Sequence, residues 1–208
     1  MSFTNLLNKY PIISDQIKRP ALEVVLGGLE ETLDRGVKGD IAEFGCYIGT
    51  TSLFVRRILD ARRESDKRTF YVYDSFVGLP EKTAQDMSAA GVDFRGGELS
   101  VSKKQFLHEF HKANLRPPIT HKVWFNQITD QQLPDKIAFA FLDGDFYESI
   151  RDSLKLVWPR LAEGGVIAID DYKRETLPGV ERAVKEFVQN KSVVLRYSHN
   201  IAILSASE

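Results

Sequence analysis

The chain has 208 residues, 43% of them hydrophobic and 27% charged, and its 28 basic against 29 acidic side chains leave a formal net charge of −1. That is enough for one domain with a substantial core and too little for two of ordinary size. The balanced charge offers no basic excess for a nucleic-acid backbone, no apolar run is long enough to span a bilayer, and the lone Cys46 can make neither an internal disulfide nor, by itself, a zinc site.

The opening stretch lacks the basic start, long apolar run and small-residue cleavage site of a signal peptide, so a cytoplasmic location is the default expectation. Residues 1–36 read as an N-terminal arm and a lead-in helix, and residues 37–208 as the main domain. The arm is interrupted by Pro11 and Pro20 and carries Phe3, Leu6, Leu7, Ile12 and Ile13 without a full helix face to bury them. A second copy of the chain is the expected cover, hence a homo-oligomer. Pro20 suits a first helical turn, and Leu22, Val25, Leu26, Leu29 and Leu33 follow at helical spacing up to Gly36.

Ile41–Phe44 is a short strand that runs straight into Gly45-Cys46-Tyr47-Ile48-Gly49-Thr50-Thr51-Ser52 and then a helix. Glycines let a backbone approach a ligand, and a helix N-terminus presents free N–H groups. The spacing is E-x-G-x-x-x-G, not the G-x-G-x-x-G that holds a dinucleotide pyrophosphate. Glu43 would repel such a group and attract a cationic ligand; S-adenosylmethionine carries both an ammonium and a sulfonium. The plainer alternative is that the two glycines only allow a tight strand-to-helix turn. The next strand, Thr69–Tyr73, ends in Asp74, where nucleotide-binding sheets hold ribose hydroxyls, with turn capping as the alternative.

From Ser75 to Leu99 the chain is glycine-rich, charged and without periodicity. It is too long for an ordinary connection, and an active-site lid or substrate loop reaching to about residue 101 is expected. Ser102 caps a helix running to about Leu115, whose His108 and His111 belong to a charged, solvated face. A strand over Ile119–Phe125 and a loop over Asn126–Pro134 follow.

Ile137–Leu142 is an apolar run suited to a strand buried on both faces, and it stops at Asp143-Gly144-Asp145. The helical spacing of Ile150, Leu154, Val157, Trp158 and Leu161 predicts a helix over 148–161, ended by Gly164-Gly165. A strand over Val166–Ile169 then stops at Asp170 and Asp171. Two parallel strands joined by a helix make a right-handed crossover. If they are neighbours, Asp143, Asp170 and Asp171 meet at one carboxyl edge about 4.8 Å across. Crowded carboxylates need a cation or a proton, and a hard divalent ion such as Mg²⁺ takes oxygen ligands; the alternative is that each aspartate caps its own turn. Pro178-Gly179 opens a last helix, and Ser192–Tyr197 with Ile201–Leu204 makes an antiparallel hairpin. The expected sheet is mostly parallel with one reversed strand near its edge.

Four stretches taken together carry a resemblance: Ile41 to Ser52 (IAEFGCYIGTTS), Tyr73 to Pro80 (YDSFVGLP), Leu142 to Ser149 (LDGDFYES) and Ile169 to Tyr172 (IDDY), followed by Pro178-Gly179 and a helix. In this order they resemble the macrocin O-methyltransferase family of TylF-like enzymes, over about Val37 to Phe187. The resemblance implies a single-domain, Rossmann-like class I methyltransferase fold with a seven-stranded sheet and helices on both faces. It also implies S-adenosylmethionine as donor, a divalent cation of the Mg²⁺ type, and O-methylation of a hydroxyl on a sugar or other small diol-like acceptor. Carried onto this chain, the metal positions are Asp143, Asp170 and Asp171, and Asp143 is the expected base. The donor positions are Glu43, Gly45, Tyr47, Gly49, Thr50, Thr51, Ser52, Asp74, Ser75, Phe76 and Asp143. Val123-Trp124 stands where the family has a glycine ahead of its aromatic, near the adenine. His199 is a second conceivable base, although a histidine in a turn is more often exposed and inert. A donor-binding subunit without turnover and an NAD-dependent oxidoreductase are the competing functions; the acidic triad speaks against the first, and the missing third glycine with Glu43 against the second.

Overall fold

The computed structural model describes residues 2–91, 94–189 and 191–206. Seven strands, β1 (Asp40–Phe44), β2 (Phe70–Asp74), β3 (Ile119–Lys122), β4 (Ile137–Leu142), β5 (Leu161–Ile169), β6 (Val193–Ser198) and β7 (Ile201–Ala206), form one sheet in the order β3-β2-β1-β4-β5-β7-β6. Every neighbouring pair is parallel except those made by β7, which runs antiparallel to both β5 and β6. The chain winds outward from β1 to β3 on one side, then returns to start again at β4. The carboxyl ends of β1 and β4 therefore flank the point where strand order reverses, which is where open parallel sheets leave a crevice.

Both faces are covered because successive strand residues point to opposite sides. On one face Ile41, Val72, Phe139 and Phe141 pack with α1 (Phe3–Lys9), α2 (Arg19–Asp34), α3 (Thr50–Ala61) and α4 (Lys103–Lys112), using Leu22, Leu26, Phe54, Ile58, Phe106 and Phe110. On the other face Phe44, Tyr73, Leu142 and Ile169 pack with α5 (Tyr147–Val157) and α6 (Pro178–Val188) through Ile150, Leu154, Val180 and Val184. Among the described residues no helix is long and apolar enough to cross a membrane.

Three expectations are corrected. The helix predicted to end at Gly164-Gly165 stops at Val157, and Trp158–Arg160 forms a 3₁₀ turn. Pro159 has no N–H to continue the ladder and disfavours helical geometry in the residue before it. Leu161, in phase with the helix, instead opens β5. The glycines lie inside that strand, where its register against β4 jumps from Ile137↔Leu161 to Phe139↔Val166 and Gly164 takes φ +70. The strand predicted to reach Phe125 ends at Lys122, and Phe125–Gln127 turns as 3₁₀. The arm's apolar residues are covered by the chain itself. Leu6 and Leu7 are 3% and 4% exposed, and Phe3, Ile12 and Ile13 pack on the same core. The Phe3 amide donates to Glu30 Oε1 at 3.0 Å, and the Arg57 guanidinium sits 4.0 Å from the Tyr10 ring centre. The surface on which a second copy was expected is thus occupied internally.

Candidate active site

The crevice at the reversal point is a cleft of about 760 Å³, counting space open to solvent. One wall is the turn after β1. Gly45 takes φ +86 and donates its amide to the Tyr73 carbonyl at 2.9 Å; a Cβ there would overlap the Asp143 carbonyl, because β1 and β4 are neighbours. Gly49 takes φ +95 as the N-cap of α3 and leaves no room for a Cβ against the Phe106 ring. Glycine is required at both positions by conformation and by space.

Asp74, at the tip of β2, joins this turn to the next loop. Its Oδ2 accepts from the Cys46 and Tyr47 amides at 2.9 and 3.4 Å, and its Oδ1 from the Phe76 amide at 2.7 Å. The side chain therefore caps both turns and also lines the cleft. A carboxylate has about four acceptor sites, so three amides leave capacity for a ligand hydroxyl.

The opposite wall is acidic. The Asp143 amide donates to Phe44 O at 2.8 Å and the Asp170 amide to Leu142 O at 2.9 Å, which levels the two strand ends. Asp145 and Asp171 both adopt left-handed backbone, φ +57 and +55. Carboxylate oxygens of Asp143, Asp145 and Asp171 lie within 4.8 Å of one another. Here too structure and expectation differ: Asp145 joins the cluster in place of Asp170. Asp170 lines the same cleft, but its Oδ1 turns to accept the Asp171 amide at 2.8 Å. The clue in the sequence was the second aspartate of Asp143-Gly144-Asp145, two residues past the first in the turn that leaves the same strand end. Burial, then neighbouring aspartates, push the carboxyls of Asp143 and Asp145 well above the ordinary range, and burial pushes Asp170 up to about 8. The Arg174 guanidinium partly offsets this, pairing with Asp171 Oδ1 at 2.9 Å.

Of the residues expected to hold a donor, Gly45, Tyr47, Asp74, Ser75 and Asp143 line the cleft, whereas Glu43, Gly49, Thr50, Thr51, Ser52 and Phe76 stand behind its wall. Glu43 is 2% exposed and accepts from Ser52 Oγ at 2.5 Å; burial raises its carboxyl to about 8, and the nearby Asp74 adds to the shift that the Ser52 bond opposes. The side chain expected to attract a cation is therefore buried beneath the turn, off the cleft, and burial favours its neutral form. Phe76 packs on Phe106, and Thr50 Oγ1 is buried at the start of α3 without a hydrogen-bond partner.

The roof comes from the loop after β2, through Gly78, Leu79, Pro80, Phe94 and Leu99, and from Trp124 and Phe125. Val92 and Asp93 of the expected lid lie outside the described residues. Trp124 does line the cleft, as expected from its place in the motif, while Val123 packs on the core behind it. A second cleft adjoins the first, sharing Gln16, Phe94, Asp170, Asp171 and Arg174, and is closed by Asp15–Lys18 and by the hairpin turn His199-Asn200. His199 is exposed there, its Nδ1 2.9 Å from Ser198 Oγ, and His108 and His111 lie on α4 away from both clefts.

Residues 17–199 match the macrocin O-methyltransferase (TylF) family. The chain is 35% identical over 150 residues to a Streptomyces olivaceus 8-demethyl-8-(2,3-dimethoxy-alpha-L-rhamnosyl)-tetracenomycin-C 4'-O-methyltransferase, covering 69% of this chain and 57% of the relative. It is 31% identical over 177 residues to demethyldecarbamoylnovobiocin O-methyltransferase of Streptomyces niveus, covering 82% and 65%, and 32% identical over 166 residues to the mycinamicin III 3''-O-methyltransferase of Micromonospora griseorubida, covering 76% and 64%. The chain thus spans between 57% and 65% of the length of these relatives. Among solved structures, the O-methyltransferase NovP superposes with a TM-score of 0.77 at 25% identity over 90% of this chain and 79% of that one. The calicheamicin methyltransferase CalS11 superposes with a TM-score of 0.75 at 21% identity over 99% and 90%, which is a likeness of fold. The family match takes in the glycine turn, Asp74, both aspartate-bearing strand ends and the hairpin, and the chain belongs to the macrocin O-methyltransferase family.

Proposed function

We propose that this protein transfers a methyl group from S-adenosylmethionine to a hydroxyl of a sugar or similar diol-like small molecule, with help from a divalent cation. The observation that carries the reading is the pairing, across one cleft, of a glycine turn tied to Asp74 with three converging carboxylates. The relatives' own names, a rhamnosyl 4'-O- and a mycinamicin 3''-O-methyltransferase, favour a sugar hydroxyl as acceptor.

The donor's sulfonium is already activated, so the chain has two tasks: to align donor and acceptor and to help the hydroxyl lose its proton. Alignment in a closed site can supply about 7–11 kcal/mol of barrier reduction. The turn Gly45–Tyr47 and Asp74 offer amide and carboxylate contacts to the donor's amino-acid and ribose ends, with Ser75 and Trp124 beside them. Asp143, Asp145 and Asp171, with Asp170 at their side, form an all-oxygen donor set that suits a hard ion such as Mg²⁺. When bound, such an ion lowers the pKa of a coordinated hydroxyl. Asp143, at the tip of β4 and lining the cleft, is placed to accept the proton.

The test is turnover on a panel of glycosides, read as methylated product by mass spectrometry with and without EDTA. Turnover that stops in EDTA and returns with Mg²⁺ or Mn²⁺ is expected. Full turnover in metal-free protein sinks the cation's part and leaves Asp143 as a simple base. Calorimetry with S-adenosylmethionine tests the donor site. Asp74→Ala should weaken binding by about 1–3 kcal/mol, and unchanged affinity removes Asp74 from the contacts. A cytoplasmic, homo-oligomeric form is part of the proposal, with a surface other than the self-covered arm joining the copies, and sedimentation showing monomer at micromolar concentration removes the oligomer.

A further inference from the structure

The acidic edge already holds a cation of the chain's own. Arg174 Nη1 lies 2.9 Å from Asp171 Oδ1, three residues along the turn that leaves β5. The two partners are unequally held. The Asp171 side chain is 12% exposed, with its backbone at φ +55, whereas the Arg174 side chain is 34% exposed and borders both clefts. The guanidinium carbon stands 5.7 Å from the ring centre of Phe94, on the loop that roofs both. The Arg174 guanidinium is thus the more exposed partner of the pair and already lies beside Phe94 at the mouth of the second cleft.

A divalent ion bound by Asp143, Asp145 and Asp171 needs the carboxylate that Arg174 occupies. We propose that Arg174 is an internal counter-cation of this edge, and that a divalent cation binds there by displacing it from Asp171. The inference rests on the metal reading above and assigns Arg174 a positioning role: it holds the aspartates together when the ion is absent and sets how tightly the ion binds. The vacated guanidinium then faces the cleft closed by Lys18, His199 and Asn200.

The experiment is a calorimetric titration of the full chain with MnCl₂, with neither donor nor acceptor present. Arg174→Gln removes the competing charge and should bind Mn²⁺ about two- to fivefold more tightly than the native chain, the size expected for losing one partly exposed ion pair. Arg174→Lys keeps a charge without the planar fork and should fall between the two. A merely structural arginine would weaken metal binding when replaced, not strengthen it. Equal or weaker Mn²⁺ affinity in Arg174→Gln, with native binding intact, overturns the inference and leaves the metal reading standing. Saturable Mn²⁺ binding in neither protein overturns both.

Discussion

A carboxyl held near neutrality by burial sits directly beneath the donor-side turn, and it gives the site a pH dependence separate from catalysis. Glu43 is raised to about 8 by desolvation, and the groups around it are Ser52, which hydrogen-bonds it, and the acid Asp74. A folded-state pKa above the ordinary value means that its contribution to stability is complete below the normal carboxylate range and is lost as pH rises through about 8. Glu43→Gln mimics the protonated form. Its melting temperature should match the native value at about pH 4, exceed it increasingly as pH rises, and differ most at about pH 9. A difference independent of pH would show that Glu43 is charged throughout. Gly45 is the second decisive residue. Alanine there meets both a positive φ and the Asp143 carbonyl, so Gly45→Ala should lose donor binding and lower the melting temperature together. Unaltered calorimetric binding of S-adenosylmethionine would refute that. The sequence singled out Gly45 for its flexibility; only the neighbouring of β1 and β4 shows that its missing side chain makes room for the Asp143 carbonyl at the end of β4.

The roof loop illustrates what an element's own sequence leaves open. Its length and lack of periodicity raise the expectation of an active-site lid or substrate loop, and locally Asp86 offers only a capping box with Thr83. In the fold Asp86 is 1% exposed; Oδ1 accepts the Tyr147 amide at 2.7 Å and Oδ2 the Thr83 amide and hydroxyl at 2.9 and 2.8 Å. It packs against Gly179 at the start of α6, so one carboxylate fastens the loop to the N-terminal ends of two helices. Arg182 adds contacts to the Ala84 and Gln85 carbonyls, and Ser88 to the Glu175 carbonyl at 2.6 Å. Asp86→Ala leaves the Tyr147 amide without this acceptor, which should cost about 1–3 kcal/mol. It should also speed limited proteolysis within residues 75–99, while the melting of the core stays cooperative. Proteolysis at the native rate would mean that the other contacts suffice to hold the roof. The β5 boundary failed for a similar reason: hydrophobic period favours a helix through Leu161, and one missing N–H at Pro159 ends it.

At the scale of the molecule, the N-terminal arm decides between two packings that share one composition. Apolar residues on a short segment need cover, and the chain's own α2 and α3 supply it. Leu6→Ala should therefore cost about 2–4 kcal/mol, as for other buried leucines, by an amount independent of protein concentration. A melting temperature that rises with concentration in the native chain, and less so in the variant, would instead place Leu6 between subunits.

Legible in the sequence alone were the layered α/β class, the glycine turn after β1, the acids at the ends of β2, β4 and β5 and the reversed strand near the sheet edge. Each of these is a local matter, set by hydrophobic period, by residues that favour turns and by the shortness of a hairpin link. Tertiary structure decided which acids converge and what each faces. Asp145 joins Asp143 and Asp171 because left-handed backbone turns it toward the β5 end, and Asp170 turns away to accept an amide. Glu43 points into the face covered by α3 because strand residues alternate sides, which takes it off the cleft and onto Ser52. Arg174 meets Asp171 across a single turn, a pairing that the spacing permits but that only the folded edge, with its crowded carboxylates, makes favourable.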